Sequence, residues 1–485
     1  MKKIIISTFA ISALLFTTSC EDDFDTDVND VVVTSGEANF SNYIALGNSL
    51  TSGYRDGALY IDGQNESYPS MLAQQMKLAG GGAFKQPLMP NNTGGFTNLF
   101  NPNTGEFSGK YVLSVVNGAL SPGPTAPGAA LDFVNSGGPY QNMGVPGAKV
   151  FHLLAPGYGN PAGLTPTNAT ANPYFVRFAS SASTSVVADA LAQNPTFVSL
   201  WIGNNDVLGY ATSGGDGSNP ITPVDGAPGV GFTNSYTTLV GLLFPSGTNR
   251  KGVVANIPNV TSVPYFTRVP AMPLTNLTAA QVTQLNAGYA QYNAGLLQAK
   301  TLGAISDAEY QRRLIKFTAG AVANGAVIVD KDLSPAGALP KYRQTTSKDY
   351  ILLPASRVLT PQAGGGTSVP LEDKLVLTEA EAAKVMAATT AFNNTIKSVA
   401  QAKNLAFVDM NAKMEELNSK SGIIWDGVKY TATFVSGGAF SLDGVHLTGR
   451  GYAIVANEFI KSINEKYKST LPQVDANKYS GVTFP

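Results

Sequence analysis

The chain has 485 residues and a formal net charge of −1, and only 13% of its residues are charged. With no cluster of Lys and Arg, this balance argues against nucleic acid or an anionic membrane surface as the main partner. A hydrophobic content of 44% is enough for a packed core and excludes a disordered chain.

Residues 1–20 are predicted to be an export signal. Lys2 and Lys3 precede an apolar run, residues 4–16, that is too short to span a bilayer comfortably. The run ends in Thr-Thr-Ser-Cys, and small residues before a cysteine resemble a bacterial lipoprotein signal. Cys20 is the chain's one cysteine, so it has no partner for an intramolecular disulfide. We predict lipidation of Cys20; the alternative is a plain secretory signal with an incidental cysteine.

Residues 21–38 are predicted to be a flexible, acidic tether. Five acids lie within its first seven positions: Glu21, Asp22, Asp23, Asp25 and Asp27. Lipid at Cys20 and this tether would hold a folded body off a membrane. We expect anchoring to the outer membrane of a Gram-negative cell, and the acidic patch suggests exposure at the cell surface. After the signal, no apolar run reaches 18 residues, so the lipid is the expected membrane contact.

Strands and helices alternate along the rest of the chain, which predicts an α/β fold with a mostly parallel sheet covered on both faces. The predicted strands are 43–46, 196–202, 252–257, 325–330 and 405–409, and the predicted helices are 68–79, 183–193, 278–300, 306–318, 378–403 and the segment after Thr448. The predicted organisation is one domain over 39–470 with loop-rich insertions at about 80–138, 209–250 and 258–375, and a tail at 471–485. Within the first insertion, Tyr111–Val116 suggests a strand, and the segment is expected to form one wall of a cleft.

The first stretch that suggests chemistry is Gly47-Asn48-Ser49. A glycine turn after an apolar strand delivers Ser49 to the carboxyl edge of the sheet, where open α/β sheets bind their ligands. Serine is also an ordinary turn residue, so this position alone does not assign a role to Ser49.

Two later turns place polar groups that suit an anion. The turn Gly144-Val145-Pro146-Gly147 leaves backbone N–H groups free, and such groups can form an anion-binding concavity. The turn Gly203-Asn204-Asn205-Asp206 follows a buried strand and presents amides at the same edge of the sheet. For both, the alternative is an ordinary turn, because Gly, Asn and Asp are common there.

A carboxylate and an imidazole precede the last helix. Asp443 and His446 lie three residues apart, just before the predicted N-cap Thr448. At this spacing the carboxylate can reach Nδ1 of the ring and leave Nε2 pointing outward as a base. The other histidine of the chain, His152, has no carboxylate nearby in sequence and is predicted to be structural, although it lies close to Gly147.

In this order, the four stretches resemble the sequence blocks of the SGNH hydrolases, also called GDSL-type esterases and lipases. Gly47-Asn48-Ser49-Leu50 is similar to the first block, with Asn48 where aspartate is usual. The resemblance implies a three-layer, flavodoxin-like α/β/α fold and hydrolysis of carboxylic esters through an acyl-enzyme on Ser49. It implies His446 as base, Asp443 as orienter, and an oxyanion hole formed by the N–H groups of Ser49 and Gly147 and the side chain of Asn205. In this alignment Gly147 is favoured over Gly144, and Asn205 over Asn204.

The sequence also bears on three other functions: a hydrolase with a different serine motif, a zinc hydrolase and a binding protein without activity. No serine has glycine two positions away on both sides, which disfavours the Gly-x-Ser-x-Gly hydrolase elbow. Two histidines and one cysteine are too few for a zinc hydrolase, and we expect no metal and no cofactor. The non-enzyme alternative is a surface glycan- or lipid-binding lipoprotein that keeps the fold without the activity.

The expected substrate is a small-molecule or polymer-linked ester. Asn- and Tyr-rich insertions favour acetylated carbohydrate, whereas apolar elements such as Val263-Pro264-Tyr265-Phe266 favour lipid chains. The sequence does not indicate an oligomeric state.

Overall fold

The computed structural model describes residues 32–101, 105–116, 118–166 and 169–485, so the predicted signal, Cys20 and tether residues 21–31 lie outside the described part. The strands are β1 Tyr43–Gly47, β2 Phe96–Asn101, β3 Gly105–Phe107, β4 Tyr111–Val116, β5 Ala119–Pro124, β6 Asn142–Gly144, β7 Phe197–Trp201, β8 Lys251–Ala255, β9 Val327–Val329, β10 Tyr342–Gln344, β11 Tyr350–Ile351, β12 Val376–Leu377, β13 Ala406–Val408, β14 Ile423–Trp425 and β15 Val428–Tyr430.

The α-helices are α1 Ser49–Ser52, α2 Ile61–Asn65, α3 Tyr68–Leu78, α4 Pro173–Val176, α5 Val186–Leu191, α6 Asn205–Thr212, α7 Phe232–Leu243, α8 Pro264–Thr267, α9 Ala279–Gly288, α10 Ala290–Thr301, α11 Asp307–Arg313, α12 Glu379–Ala402, α13 Met410–Asn418 and α14 Gly449–Tyr467. Short 3-10 helices lie at Asn135–Gly137, Val150–Leu154, Pro161–Gly163, Val260–Ser262, Leu353–Arg357, Asp373–Leu375 and Ala476–Lys478.

Five parallel strands form the central sheet, in the spatial order β13-β8-β7-β1-β6. Numbered along the chain, this order is 2-1-3-4-5, the doubly wound arrangement of flavodoxin-like folds. The strands β1 and β7 are buried along their whole length, which matches their continuous apolar sequence. The predicted α/β fold with a parallel sheet is confirmed.

Helices cover both faces of this sheet. On one face α3 packs against α14, and the rings of Tyr68 and Phe459 stack with their centroids 4.7 Å apart. On the other face α5, α7 and α12 pack together, and Phe232 stacks on Phe392 at 3.9 Å. The main hydrophobic core lies between these layers and the sheet.

Two helix starts form as the sequence predicts. Thr378 and Glu381 form the predicted capping box at the start of α12, with the Thr378 N–H donating to the Glu381 carboxylate at 2.9 Å. Thr448 caps α14 by accepting a hydrogen bond from the Gly451 N–H at 3.1 Å. This cap fixes the point where the loop carrying Asp443 and His446 enters the last helix.

Several local predictions are wrong. Residues 209–250 are not only loop, because α7 forms there and buries an apolar stripe. The predicted helix 278–300 is two helices that meet at Tyr289, and the helix from Ser306 ends at Arg313 rather than near residue 318. The strand predicted at 325–330 forms as β9, but it pairs antiparallel with β10, outside the central sheet.

The predicted insertions 80–138 and 258–375 form small units beside the central sheet, whereas 209–250 contributes α7 to the layer that covers it. Residues 80–138 contain two hairpins, β2–β3 and β4–β5. Residues 258–375 contain the antiparallel pairing of β9 with β10, and β11 pairs antiparallel with β12, just beyond residue 375. Two further hydrophobic clusters lie around α9, α10 and β9. The segment 471–485 returns to the main core, where Leu471, Val474 and Ala476 are buried. Within the described ranges, no helix combines the length and the apolar character needed to cross a bilayer.

Candidate active site

Ser49 lies at a sharp turn between β1 and α1. Gly47, the last residue of β1, pairs with Trp201 of β7 on one side and with Gly144 of β6 on the other. A Cβ at Gly47 would lie 2.1 Å from the Thr51 hydroxyl oxygen and 2.4 Å from the Trp201 carbonyl oxygen, so only glycine fits there. The chain therefore passes directly from the strand into α1, with Ser49 as the first residue of the helix.

Asn48 fixes this turn from within the protein. Its side-chain oxygen accepts a hydrogen bond from the Leu50 N–H at 3.1 Å and so caps α1. Its amide nitrogen donates to the side-chain oxygen of Asn204 at 3.2 Å, which ties the end of β1 to the end of β7. Asn48 is fully buried, and both ends of its amide are used.

The side chains of Ser49, His446 and Asp443 form a continuous hydrogen-bonded chain. His446 Nε2 lies 2.9 Å from Ser49 Oγ, and His446 Nδ1 lies 2.8 Å from Asp443 Oδ2. Ser49 is buried apart from a small exposed fraction, and the His446 side chain is 14% exposed. This arrangement can transfer a proton from the serine hydroxyl to the imidazole.

Asp443 is held as a carboxylate. Burial alone would raise its pKa, but the charge of the His446 ring and hydrogen bonds to the carboxylate hold the pKa well below its usual range. Its Oδ1 accepts from the backbone N–H groups of Val445 and His446, each at 2.8 Å, and from the Ser441 hydroxyl at 3.3 Å. The Gly57 N–H donates to Oδ2 at 2.8 Å. A charged Asp443 fixes the tautomer and the orientation of the imidazole.

The segment just after α1 supports Asp443 and His446, and sequence reasoning missed it. The Asp56 carboxylate accepts from the Leu442 N–H at 3.0 Å, and the Asp56 N–H donates to the Ser441 hydroxyl at 2.9 Å. The ring of Tyr54 packs on the His446 ring, with 4.7 Å between centroids. Asp-Gly at 56–57 is a recognisable turn signal, but nothing in the sequence indicates that this turn contacts Asp443.

The N–H groups of Ser49 and Gly147 lie at the same edge of the sheet, as does the side-chain amide of Asn205. Within the described ranges, neither the N–H of Ser49 nor that of Gly147 makes an intramolecular hydrogen bond. The N–H of Gly144 donates to the Asn142 side chain at 3.0 Å, so it is engaged where that of Gly147 is free. Gly147 has a φ of +81°, a conformation that favours glycine.

Asn205 is positioned by the turn that carries Gly147. Its side-chain nitrogen donates one hydrogen to the Ala148 carbonyl at 3.0 Å, which leaves the second hydrogen of the amide for another acceptor. The neighbouring Asp206 accepts from the Val150 N–H at 3.0 Å, and burial raises the pKa of this carboxyl to about 6. Two hydrogen bonds thus join the turns after β6 and β7.

His152 lies away from the Ser49–His446 pair and is held by other groups. Its Nδ1 accepts from the Lys149 N–H at 3.0 Å, and its ring stacks on Tyr158 with 4.7 Å between centroids. Burial, together with the positive charge of Lys149, lowers the pKa of His152 to about 4. The described structure joins no carboxylate to this ring, so His152 lacks the orienter that His446 has.

A cleft of about 1010 Å³ opens above His446 and Asp443. One wall is the β4–β5 hairpin, so the sequence-based expectation of a cleft wall in the first insertion is confirmed. The opposite wall comes from the insertion 258–375, through residues 265–273 and 353–359. Residues 434–446 complete the lining together with Tyr54, Gly57, Leu208 and Thr212. The Tyr265 N–H donates to the Gly444 carbonyl at 2.9 Å, which fastens that wall to the turn between Asp443 and His446.

Comparisons with known proteins add little to this geometry. No protein-family model matches the chain, and no curated protein matches it. Among solved structures, the chain is similar to an extracellular lipase from Streptomyces rimosus, with 12% sequence identity and a TM-score of 0.29. That alignment covers 88% of this chain and 99% of the lipase. A TM-score this low carries no assignment of residues, so the site is interpreted from its own geometry.

Proposed function

We propose that this protein is a serine hydrolase that cleaves carboxylic esters. The observation that carries the proposal is the chain of hydrogen bonds from Ser49 Oγ to His446 Nε2 at 2.9 Å and from His446 Nδ1 to Asp443 Oδ2 at 2.8 Å. The resemblance of four ordered sequence blocks to the SGNH hydrolases supports the same function independently.

In the proposed reaction, Ser49 Oγ attacks the ester carbonyl while His446 Nε2 takes the hydroxyl proton. The tetrahedral intermediate expels the alcohol, which leaves with that proton, and an acyl-enzyme remains on Ser49. His446 then takes a proton from water as the hydroxide attacks the acyl carbon. Collapse of the second intermediate returns the proton to Ser49 and releases the carboxylic acid, so the net reaction is ester plus water to acid plus alcohol.

The oxyanion of both intermediates is proposed to bind the N–H groups of Ser49 and Gly147 and the amide of Asn205. The free N–H groups and the second hydrogen of the Asn205 amide support this role. Such donors stabilise charge that exists only in the transition state and the intermediates, which is why they accelerate the reaction.

The test is hydrolysis of p-nitrophenyl esters from acetate to decanoate by the purified chain. Ser49→Ala is expected to lower turnover by about six orders of magnitude. Ser181→Ala, at an exposed serine outside the site, is the matched control and is expected to keep full activity. A wild-type protein that is folded but hydrolyses no ester and is not labelled by a serine-directed phosphonate would instead favour the glycan- or lipid-binding alternative.

We also propose that residues 39–470 act as one hydrolase domain with insertions at about 80–138 and 258–375, whereas the predicted insertion 209–250 contains α7, which belongs to the layer that covers the sheet. The supply of both cleft walls by insertions supports this organisation, because it makes them part of the substrate site. Limited proteolysis tests it. Cleavage in an insertion is expected to abolish activity on large esters, and a fragment lacking the insertions that keeps such activity would contradict it.

We propose export and lipidation at Cys20, which rests on the sequence signal alone. In a Gram-negative host, the wild-type chain is expected to incorporate a labelled fatty acid and to partition into detergent. Cys20→Ser is expected to abolish both. Digestion by protease added to intact cells tests exposure at the cell surface, and protection of the lipidated protein would indicate a periplasmic orientation.

A further inference from the structure

Resting on the proposed ester hydrolysis, we propose that the cleft takes an ester that carries both an apolar chain and an anionic group. The apolar chain lies along the β4–β5 hairpin, and the anionic group, a phosphate or a carboxylate, binds Arg268 and Arg357. Three features of the cleft lead to this substrate class: its apolar hairpin wall, its unpaired arginines and, among the lining residues that the structure describes, the lack of acidic side chains apart from Asp443.

The hairpin presents apolar side chains to the cleft. Leu113, Val116, Leu120 and Pro122 all line it, and Val116 and Leu120 are half exposed, at 51% and 50%. Large apolar side chains that remain exposed together in a concave site typically mark a surface that an apolar ligand covers. An acyl or alkyl chain of several carbons would bury them.

The opposite wall is apolar near the triad and cationic farther along. Leu353 and Val269 line the cleft, and a Cβ at Gly444, between Asp443 and His446, would lie 3.1 Å from the Leu353 side chain. Arg268 directly follows α8, and Arg357 is the last residue of the 3-10 helix Leu353–Arg357. These two short helices pack against each other, so both arginines belong to one wall.

Neither arginine side chain has a partner of its own. In the described part of the chain, the guanidinium groups of Arg268 and Arg357 make no hydrogen bond and no ion pair, and both residues are exposed. By contrast, Arg55, Arg177 and Arg343 each bind a carboxylate inside the fold. The arginines at the cleft are therefore free to bind a ligand.

The charge of the cleft differs from that of the whole chain. Among the described lining residues, two are arginines and one is acidic, Asp443, whose carboxylate is hydrogen-bonded to His446. The complete chain has a net charge of −1, so this excess of positive charge is local. Guanidinium groups bind phosphate and carboxylate through paired, charge-assisted hydrogen bonds, which makes an anionic substituent the ligand that fits.

The experiment compares two esters that have the same acyl chain and differ by one phosphate group: 1-decanoylglycerol and 1-decanoylglycerol 3-phosphate, each below its critical micelle concentration. The wild-type protein is expected to cleave the phosphate-bearing ester with the higher kcat/KM. Arg268→Gln and Arg357→Gln are each expected to lower kcat/KM for that ester about 3- to 10-fold and to leave the neutral ester unchanged. Lys397→Gln, at an exposed cation outside the cleft, is the control.

Two variants of the β4–β5 hairpin test whether it binds the apolar chain. Leu120→Ser is expected to lower kcat/KM for decanoate esters while sparing acetate esters. Val112→Ser, on the same hairpin but outside the lining, is expected to spare both. A matching decanoyl ester that carries a carboxylate instead of the phosphate shows whether the site requires a phosphate or any anion.

The outcomes separate this inference from the proposed function. If the wild type cleaves both glycerol esters equally, or if the arginine variants lower both rates together, the anion site is overturned while ester hydrolysis stands. If the wild type cleaves neither these esters nor p-nitrophenyl acetate, the proposed function itself fails.

Discussion

Asp443→Asn removes one charge from the site and keeps the shape of the side chain. In the structure, the carboxylate accepts hydrogen bonds from four neighbours, at His446, Val445, Ser441 and Gly57, and every one of them is a donor. An asparagine has one acceptor atom and one donor group in the same place. If its oxygen keeps the N–H groups of Val445 and His446, its NH₂ group faces His446 Nδ1.

The expected loss of activity follows from the histidine tautomer. With an NH₂ group opposite Nδ1, that nitrogen must accept, so the ring proton moves to Nε2 and the ring can no longer take the proton of Ser49. In the serine-protease triad the same substitution lowers turnover about 10⁴-fold. That factor corresponds to about 5 kcal/mol of transition-state stabilisation. The N–H of Gly57 also loses its acceptor, which is expected to cost about 1–3 kcal/mol of folding stability.

The assay is steady-state hydrolysis of p-nitrophenyl butyrate at pH 7.5, with circular dichroism and urea denaturation to verify folding. Asp56→Asn is the matched control, since this neighbouring carboxylate accepts from Leu442 and from the Tyr60 hydroxyl but does not touch His446. We expect the turnover of Asp56→Asn to fall less than about 10-fold, because Asp56 only positions the loop that carries Asp443. An Asp443→Asn variant with turnover within 10-fold of the wild type would contradict the predicted change of the His446 tautomer. An Asp56→Asn control whose turnover falls as far as that of Asp443→Asn would contradict it too.

Three further predictions concern neighbouring residues. His152→Ala is expected to keep most activity while His446→Ala loses nearly all of it, and equal losses in the p-nitrophenyl assay would show that the base is wrongly assigned. Asn205→Ala is expected to lower kcat about 10²- to 10³-fold with little change in KM, and an unchanged kcat would remove its amide from the oxyanion hole. Burial raises the pKa of the Asp206 carboxyl to about 6. The folded state therefore favours the protonated carboxyl, and the folding stability that this group contributes below about pH 4 is lost as the pH rises through 6. Asp206→Asn is therefore expected to be up to about 3 kcal/mol more stable than the wild type in urea at pH 7.5 and no more stable at pH 4; the opposite order would contradict this.

Four of the five central strands could be predicted from the sequence because they are short apolar runs that end in glycine or polar turns; β6, with the sequence Asn-Met-Gly, is not such a run and was missed. The same signal misassigned the run 325–330, since an apolar run shows burial but not which sheet it joins. Helix α7 was missed because Thr, Ser, Asn and Gly dominate its local composition. Its buried stripe Phe232, Tyr236, Leu239 and Leu243 has helical spacing, so hydrophobic periodicity would have found it.

Parts of the candidate site could be predicted for a topological reason. The carboxyl ends of neighbouring parallel strands lie at one edge, so the turns after β1, β6 and β7 had to approach each other. The support of Asp443 by Gly57 could not be predicted, because it joins two irregular loops that are 386 residues apart. Contacts between loops leave no periodic pattern in either segment.

Ser49, His446 and the three oxyanion donors are proposed to act together on one ester group: Ser49 attacks its carbonyl carbon, the donors bind its carbonyl oxygen, and His446 transfers the protons. The most direct test is a crystal structure of the protein after reaction with a serine-directed alkyl phosphonate. We expect phosphorus bonded to Ser49 Oγ, with a phosphonyl oxygen within about 3 Å of the N–H groups of Ser49 and Gly147 and of the Asn205 amide nitrogen. An adduct on another residue, or a phosphonyl oxygen turned away from all three donors, would contradict it.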